Sequence, residues 1–361
     1  MKAAVMHEVN EPLVIEDVQI DKPRAREVLI RTRAVGVCHS DLHFLDGSFP
    51  YPLPVVLGHE AAGVVEQVGP DVRTVKPGDH VITCLTAFCG HCEHCLNGRM
   101  NLCISPETRR EPTETQRLAK NGGPMNQFAN LSAFAEMMLV HEHASVAVRK
   151  DMPFDRAALI GCAVLTGVGA VSRTANVRIG DTVAVLGCGA VGLSAINAAA
   201  IAGAGRIIAI DRLGSKLNLA KHFGATDVID ASKEEDVVKK VIEMTSGGVP
   251  HSFEAVGLRQ TAEQAFRMLR RGGTANIIGM IAVGVNIEIA GRDFLGEKSI
   301  RGCFMGSNRF PLDMPRLVDL YMNGKLKLDD MISRRIGLKD INGAFEELKR
   351  GELARSVILF D

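Results

Sequence analysis

Tryptophan is absent from this chain of 361 residues, and tyrosine occurs only twice. Lysine plus arginine equals aspartate plus glutamate at 42 each, so the formal net charge is zero. Without excess positive charge there is no general electrostatic attraction for nucleic acid or for an anionic membrane, and we expect neither partner. The N-terminal stretch MKAAVMHEVNEPL lacks the long apolar segment of a secretory signal, so we expect a cytoplasmic protein.

Internal repeats, low-complexity segments and coiled-coil heptads are also lacking. The residues are 46% hydrophobic and 23% charged, which is ordinary for soluble domains, and the length suggests two or three of them. Nine cysteines in a reducing compartment are expected to be metal ligands or small buried residues rather than disulfides. Cys84, Cys188 and Cys303 fit the buried type.

Residues 182–212 have the pattern strand, glycine turn, helix, strand. Gly187, Gly189 and Gly192 form a GxGxxG turn directly after the first strand. These glycines allow, in order, a tight turn, close approach of a pyrophosphate and close helix packing, and the helix N-terminus offers free N–H groups. Asp211 ends the second strand, where a carboxylate accepts hydrogen bonds from ribose and repels a 2′-phosphate. The stretch predicts dinucleotide binding.

Two other interpretations of this stretch remain open. It can be a glycine-rich βαβ unit packed for its own sake, or a membrane span, because residues 182–205 carry no charge. Five glycines together with Ser194 and Asn197 argue against a span. Strands and helices continue to alternate as far as residue 304, which predicts a doubly wound parallel sheet.

The most specific motif in the chain is a run of closely spaced cysteines. Cys89, Cys92 and Cys95 are spaced CxxCxxC, and Cys103 follows after seven residues. Four thiolates suit a closed tetrahedral site, so a lobe over 86–110 is predicted to hold structural zinc. An iron–sulfur site or free thiols are the alternatives, although the ferredoxin spacing is not matched.

A second candidate metal site joins distant residues. Cys38 and His59 each stand beside an acid, Asp41 and Glu60 respectively, which is typical of ligands with supporting carboxylates. Taken singly, a buried thiol and a core histidine are the simpler interpretations.

Residues 104–127 are polar and are predicted to form a long exposed loop or a short helix. Their basic side chains can either meet an anionic substrate tail or form a solvated face, and the residues are Arg109, Arg110, Arg117 and Lys120. Residues 1–36 are predicted to be antiparallel strands, and residues 154–175 a helix that includes Cys162.

Several motifs then occur in a recognisable order: GVCHSD, GHE followed by GxVxxVG, the cysteine lobe, GCAVLTG, GCGAVG and GELARSVI. Over essentially its full length the chain resembles the zinc-containing medium-chain alcohol dehydrogenases. The resemblance implies an α/β fold with a GroES-like, mostly-β catalytic domain over 1–163. The resemblance also implies a Rossmann coenzyme domain over 164–304 and a C-terminal segment over 305–361 that returns to the catalytic domain.

The resemblance also implies residue roles at the catalytic centre and two zinc ions per chain, one catalytic and one structural. Cys38, His59 and Cys162 match the protein ligands of the catalytic zinc. Ser40 matches the hydroxyl that hydrogen-bonds the alcohol, and His43 matches the base that relays its proton. Asp41 matches the carboxylate that orients His59, and Glu60 matches an acid near the metal.

For the coenzyme, the resemblance together with Asp211 implies NAD rather than NADP, although a basic Arg212 beside it sometimes accompanies NADP. His39 stands where relatives often have arginine, so a neutral imidazole weakens the grip on the pyrophosphate. The implied coenzyme residues are His39, Gly187, Gly189, Val191, Gly192, Asp211, Arg212, Lys216, Ile278, Met280 and Arg355.

The implied substrate pocket is lined by Leu85, Phe128 and Ala129. Because Leu85 and Ala129 are smaller than the residues that some relatives carry there, we expect a roomy apolar pocket for primary alcohols and aldehydes of medium or aromatic size. The implied assembly is a homodimer or homotetramer, paired through a coenzyme-domain edge strand near residues 277–289.

Three alternatives to this activity stay open. A glutathione-dependent formaldehyde dehydrogenase has an acid and an arginine where this chain has Phe49 and Glu107. A sorbitol-type polyol dehydrogenase usually has glutamate at the position of Cys162. A non-catalytic, crystallin-like or regulatory binding protein is the alternative from another class, and retention of both zinc sets argues against it.

Overall fold

The computed structural model describes residues 1–351 and 354–361, which form two compact units. The first unit contains Met1–Cys162, Arg309–Gly324 and Leu328–Asp361. The second contains Ala163–Asn308 and Lys325–Lys327.

The strands of the described residues are numbered in chain order. They are β1 (Lys2–Met6), β2 (Val14–Asp17), β3 (Gln19–Ile20), β4 (Glu27–Val37), β5 (Val55–Val56), β6 (Ala61–Val68), β7 (His80–Thr83), β8 (Leu118–Lys120), β9 (Gly123–Gln127), β10 (Met137–His141), β11 (Ser145–Val148), β12 (Thr182–Leu186), β13 (Arg206–Asp211), β14 (Asp227–Asp230), β15 (Val249–Glu254), β16 (Leu269–Ile277), β17 (Ser299–Gly302), β18 (Arg334–Ile336) and β19 (Ser356–Leu359).

The α-helices of the same residues are joined by short 3₁₀ and π turns. They are α1 (His39–Leu45), α2 (Glu93–Leu96), α3 (Phe154–Leu159), α4 (Leu165–Gly169), α5 (Ala190–Ile201), α6 (Gly214–Phe223), α7 (Val237–Met244), α8 (Arg259–Arg267), α9 (Phe310–Met322) and α10 (Ile341–Arg350).

The first unit is built mainly from antiparallel strands. One sheet has the order β2-β1-β5-β9-β8-β3, and the other has the order β11-β7-β6-β4-β19-β18 with β10 also on β4. Large buried side chains such as Ile30, Leu57, Phe134 and Met138 form its core. The predicted mostly-β domain is confirmed, and the C-terminal strand β19 pairs with β4 as part of it.

The second unit contains a parallel sheet of order β14-β13-β12-β15-β16-β17. Its central strands are apolar and buried on both faces, as β12 illustrates, because helices connect successive parallel strands. The predicted doubly wound fold is confirmed. In such sheets, ligands bind beyond the carboxyl ends of the strands, where the strand order reverses.

The position of the sheet edge differs from the prediction. The expected edge strand near residues 277–289 does not exist: Ile277 ends β16, which lies between β15 and β17. The two edge strands of this sheet are β14 and β17. The apolar residues after Ile277 resemble a strand in sequence, but Gly279 and Gly284 interrupt them and they form turns instead.

The polar stretch 104–127 is also more ordered than predicted. It contains a 3₁₀ turn at Pro106–Thr108 and then the hairpin of β8 and β9. Gly122, at φ +79°, closes the hairpin in a conformation that favours glycine. β9 pairs with β5 and β8 with β3, so the hairpin is part of a sheet rather than an exposed loop.

The helix predicted over 154–175 is present and is interrupted by two π turns. It is the one described helix long and apolar enough to cross a bilayer, and 83% of its most apolar window is buried inside the protein. That burial is typical of a core helix. The first π turn, Ile160–Val164, carries Cys162.

Acid is expected to destabilise the first unit through His141. Burial and the positive neighbours His143 and Arg26 lower the pKa of His141 to about 4. The unfolded chain therefore binds a proton below its ordinary pKa of about 6.5, whereas the folded chain does not until about pH 4, so stability is full above 6.5 and falls below it. Between pH 7 and pH 5, wild type should lose about 2 kcal/mol more unfolding free energy than His141→Asn, measured by urea titration. Equal losses in the two proteins would contradict this assignment.

Candidate metal centres and dinucleotide site

The catalytic metal candidates converge at the end of β4. Cys38 is the N-cap residue of α1, His59 precedes β6, and Cys162 lies in the first π turn. One ligand atom from each lies within 4.8 Å of the other two, and all three residues are buried. Gly161 lets the π turn approach β7, because a Cβ there would lie 2.8 Å from the carbonyl oxygen of Thr83.

His59 is oriented by a buried carboxylate. Its Nδ1 donates to Asp41 Oδ1 at 3.0 Å, and the same oxygen accepts from the backbone N–H of Gly58. That bond leaves His59 Nε2 as the acceptor nitrogen, and this atom is buried without a hydrogen-bond partner. A buried acceptor facing two thiols fits a metal ion, which would satisfy it.

The charge of the group also suits a cation. The side-chain hydrogen bond from Cys162 outweighs burial, and the nearby Arg355 guanidinium adds to it, so the pKa of Cys38 lies well below its usual range. A thiolate is the form of cysteine that binds metals. Two sulfurs and one imidazole leave a fourth tetrahedral position open, as a catalytic zinc site requires.

Glu60 and Arg355 form a buried ion pair beside this group. Arg355 Nε lies 3.2 Å from Glu60 Oε1, and its Nη1 donates to the carbonyl oxygen of Val37. Gly36 makes room for the carboxylate, since a Cβ there would lie 2.1 Å from Glu60 Oε1. The structure thus places Glu60 near the metal ligands, as expected, and places Arg355 against Glu60.

The predicted proton-relay residues share one face of α1. Ser40 and His43 are three residues apart, and Ser40 Oγ lies 3.7 Å from Cys38 Sγ. His43 Nδ1 is buried without a hydrogen-bond partner. The exposed ring of His39 stands 5.3 Å from the His43 ring, centroid to centroid.

The four lobe cysteines form the second cluster. Their sulfurs lie 3.5 Å (Cys92–Cys95), 3.7 Å (Cys89–Cys103), 3.8 Å (Cys92–Cys103) and 3.9 Å (Cys89–Cys95) apart. A tetrahedral zinc with bonds of about 2.3 Å has sulfur–sulfur edges of about 3.8 Å, so the donor set fits that ion. His91 is not part of the cluster and contacts Glu107 on the surface.

The glycine turn in the second unit has the geometry that dinucleotide binding needs. Gly187 has φ +91°, and a Cβ on Gly192 would lie 1.8 Å from the carbonyl oxygen of Gly187. Gly189, the N-cap residue of α5, has open space at its Cβ position. The backbone at Gly189 is therefore accessible, and Val191 beside it is half-buried.

Asp211 ends β13 and holds this turn in place. Its Oδ2 accepts from the backbone N–H of Cys188 at 2.8 Å, and its Oδ1 accepts from that of Leu213. Arg212 is exposed next to it, and Lys216 lies half-buried on α6.

A carboxylate at the end of β15 was not among the predicted site residues. Glu254 is fully buried, and its Oε1 accepts from Val256 N–H, Gly257 N–H and the Thr261 hydroxyl. Its carbonyl oxygen accepts from the N–H groups of Ile278 and Gly279, which fixes the segment that ends at Met280. The available signal was an acid at the carboxyl end of a predicted parallel strand.

An aromatic wall, defined as Phe44, Phe49, Tyr51 and Phe128, lies beside the first metal group. The Phe128 ring centroid is 4.7 Å from that of Phe44, 5.2 Å from Tyr51 and 5.9 Å from the His59 ring. Phe49 packs on Phe44 and His43. Of these residues, only Phe128 was predicted to line a pocket; the spacing in LHFLDGSFPYP could have indicated the rest.

The other two predicted pocket residues are half-buried. Ala129 has φ +52° in the turn after Phe128, and the carbonyl oxygen of Leu85 accepts a hydrogen bond from Asn130.

Three of the four basic residues of 104–127 are paired with acids of the fold, which corrects both interpretations for Arg110, Arg117 and Lys120. Arg110 and Arg117 share the carboxylate of Glu27 and are themselves buried at the guanidinium. Lys120 pairs with Glu16. Only Arg109 is exposed, with its Nε donating to Asn130.

The fold and its two clusters of metal-ligating cysteines define a metal-binding α/β protein with a separate Rossmann-type unit. Residues 24–151 match the family model of the alcohol dehydrogenase GroES-like domain, and residues 190–322 match that of the zinc-binding dehydrogenase. The chain belongs to the zinc-dependent medium-chain alcohol dehydrogenase family, and zinc is the metal of both clusters.

Individual relatives match over the whole length. The S-(hydroxymethyl)glutathione dehydrogenase of Saccharomyces cerevisiae is 40% identical and covers 99% of this chain and 96% of its own. The benzyl alcohol dehydrogenase of Acinetobacter calcoaceticus has a TM-score of 0.94 at 32% identity, over 100% of this chain and 99% of that one. An alcohol dehydrogenase zinc-binding domain protein from Burkholderia ambifaria has a TM-score of 0.94 at 37% identity, over 100% and 98%.

Proposed function

We propose that the protein is an NAD-dependent alcohol dehydrogenase that interconverts primary alcohols and aldehydes of aromatic or medium size. The aromatic wall against His59 carries the substrate assignment. Phe128 is 4% exposed, and its ring contacts the metal ligand His59 as well as the rings of Phe44 and Tyr51. A wall of aromatic rings favours an aromatic substrate over a small aliphatic one, because the ring of the substrate can make stacked and edge-on contacts with it.

The chain's own residues hold the metal and move the proton. Cys38, His59 and Cys162 would hold the zinc, which supplies Lewis acidity that lowers the pKa of an alcohol. Asp41 fixes the His59 ring through Nδ1, so that Nε2 faces the ligand position. Ser40 would take the proton of the substrate hydroxyl while releasing its own hydroxyl proton, and that proton would travel on to His43, which would receive it at Nδ1.

The second unit binds the hydride acceptor in this proposal. Gly187, Gly189 and Gly192 let the backbone approach the pyrophosphate, and the N-terminus of α5 meets its charge. Asp211 and Lys216 are assigned to the adenosine ribose. Ile278 and Met280, fixed by Glu254, are assigned to the nicotinamide side, and His39 and Arg355 to the phosphates.

The decisive experiment measures reduced nicotinamide by absorbance with NAD and a panel of primary alcohols. We expect kcat/KM for benzyl alcohol to exceed that for ethanol by about tenfold or more, because one apolar ring buries several methylene equivalents. Equal values for the two alcohols would contradict the substrate assignment. Absence of turnover in protein that holds both zinc ions would contradict the activity.

S-(hydroxymethyl)glutathione is the second candidate substrate, favoured by the name of the yeast relative. Among the four basic residues of 104–127, only Arg109 has an exposed guanidinium that is available to the carboxylates of S-(hydroxymethyl)glutathione. Turnover of S-(hydroxymethyl)glutathione that exceeds that of benzyl alcohol and falls in Arg109→Gln would establish this alternative. As an internal control, wild type and Arg109→Gln should oxidise benzyl alcohol equally well.

Coenzyme preference is expected to shift in Asp211→Asn. The substitution removes the charge that repels a 2′-phosphate, so the ratio of kcat/KM for NADP to that for NAD should rise by about tenfold or more. Affinity for NAD should fall at the same time, because one amide NH₂ would face a backbone N–H that the carboxylate now satisfies. The matched control is Asp227→Asn at the opposite end of β14, away from the glycine turn, for which an unchanged ratio is expected.

We also propose that copies of the chain pair through the edge strand β17. Apolar side chains are exposed near it, among them Leu295 and Phe304, and an open edge offers unpaired backbone groups. Sedimentation of a Ser299→Pro variant as a smaller species than wild type would support pairing along this strand.

A further inference from the structure

A buried polar chain leads from β4 to the aromatic wall. It begins at Glu27, the first residue of β4, and continues through Arg117, whose Nε donates to Glu27 Oε1 at 2.7 Å. Arg117 is 5% exposed, and its Nη1 donates to Gln127 Oε1 at 3.0 Å. The third nitrogen, Nη2, donates to the carbonyl oxygen of Thr108, so the whole guanidinium is committed.

Gln127 links this guanidinium to the wall. Its Nε2 donates to the carbonyl oxygen of Leu139 in β10 at 2.8 Å, which fixes the amide from the other side. The backbone carbonyl oxygen of Gln127 accepts a hydrogen bond from the Tyr51 hydroxyl at 2.9 Å. The next residue is Phe128, so Gln127 sets both the tyrosine and the phenylalanine that face each other in the wall.

The ion pair is an expensive way to provide stability alone. Burying charge costs desolvation, and well-packed apolar residues often do as well or better. Glu27 already has a second partner, since Arg110 Nε donates to the same oxygen at 2.9 Å. Arg117 therefore adds a directed contact to Gln127 that the pairing of Glu27 does not require.

We propose that Gln127, held by Arg117, is a positioning residue that sets the aromatic wall against the zinc ligand His59 and thereby determines the preference for aromatic over small alcohols. The inference rests on the proposed function, because it treats the wall as the substrate surface. Loss of the Gln127 side-chain amide removes the contacts with Arg117 and with the Leu139 carbonyl oxygen that fix this residue. The backbone carbonyl oxygen that accepts from Tyr51 and the turn that carries Phe128 then shift, and the wall moves away from His59.

The test compares Gln127→Leu and Arg117→Met with wild type. A matched control is Arg335→Met, which likewise removes one of two arginines from a shared carboxylate and leaves Asp155 paired with Arg156. We expect the ratio of kcat/KM for benzyl alcohol to that for ethanol to fall roughly tenfold in both test variants, since ångström-scale misplacement costs rate. The KM for NAD and the zinc content should not change, and the control should keep the wild-type ratio.

A second readout needs no activity. The chain has no tryptophan and two tyrosines, so Tyr321→Phe leaves Tyr51 as the sole reporter in second-derivative ultraviolet absorbance. Burial raises the pKa of Tyr51, which agrees with a secluded ring. In this background, Gln127→Leu should shift the Tyr51 band toward that of water-exposed tyrosine, and Arg335→Met should not.

The outcomes separate the two proposals. Wild type that oxidises neither alcohol contradicts the proposed function and with it the specificity role of Gln127. Wild type that prefers benzyl alcohol, with an unchanged ratio in Gln127→Leu, overturns this inference alone. An unshifted Tyr51 band in Gln127→Leu overturns the positioning of the wall, and a ratio that falls equally in Arg335→Met reduces the effect to general destabilisation.

Discussion

Replacement of Cys162 by serine is expected to abolish alcohol oxidation while the protein stays folded. The substitution removes one of the three ligands of the first cluster, and a neutral hydroxyl is a poor ligand for zinc. Lewis-acid assistance is worth several kcal/mol in such sites, so the rate should fall by about 10³-fold or more. Elemental analysis should show the zinc content falling from two ions per chain to one.

Cys303→Ser is the matched control for this experiment. Cys303 is a buried thiol hydrogen-bonded to Thr174 and far from both clusters in the chain, so serine there should keep both metals and most of the activity. Full activity in Cys162→Ser with one zinc per chain would contradict the assignment of Cys162.

Replacement of Cys95 by serine is expected to destabilise the cysteine lobe rather than to affect the chemistry directly. The lobe buries little apolar surface of its own: α2 has no buried residue, and Leu96 and Ile104 are 74% and 80% exposed. Zinc binding is therefore its main source of folding energy, and loss of a metal ligand of this kind costs about 4 kcal/mol or more.

Differential scanning calorimetry and limited proteolysis would measure the effect. Cys95→Ser should show a lower Tm and cleavage within 86–110, and a strong chelator should reproduce both effects in wild type. His91→Ala, in the same segment but outside the cluster, should behave as wild type. An unchanged Tm in Cys95→Ser would rule out a structural zinc in the lobe.

The parts of the site that lie in short motifs could be predicted from the sequence. The cysteine spacing alone indicated the lobe, and the glycine turn with Asp211 indicated the dinucleotide unit. Cys38 and His59 are 21 residues apart, yet the pairing of β4 with β6 makes them neighbours, because Gly36 N–H donates to the carbonyl oxygen of Glu60. Cys162 came from family resemblance only, since a π turn more than a hundred residues away has no readable spacing.

The charged interior could not be predicted. Arg110 and Arg117 stand in a polar stretch with mixed charges, which ordinarily indicates a solvated face. Their partner Glu27 lies 83 and 90 residues earlier. Local composition cannot reveal an ion pair between residues so far apart in the sequence, because the pairing depends on which sheets the hairpin and β4 join. Glu254 was missed for a related reason, since its partners belong to the turns that follow β15 and β16.

Asp211 has a consequence for how this enzyme can evolve or be engineered. The carboxylate that we propose to select the coenzyme also holds the glycine turn through Cys188 and orders the start of the next segment through Leu213. A mutation that admits the extra phosphate therefore also loosens the turn that must hold the pyrophosphate. A change of coenzyme is therefore epistatic: it requires a second substitution that restores those two backbone contacts. Libraries that vary position 211 alone should yield variants that bind both coenzymes, each more weakly than the parent binds its preferred coenzyme.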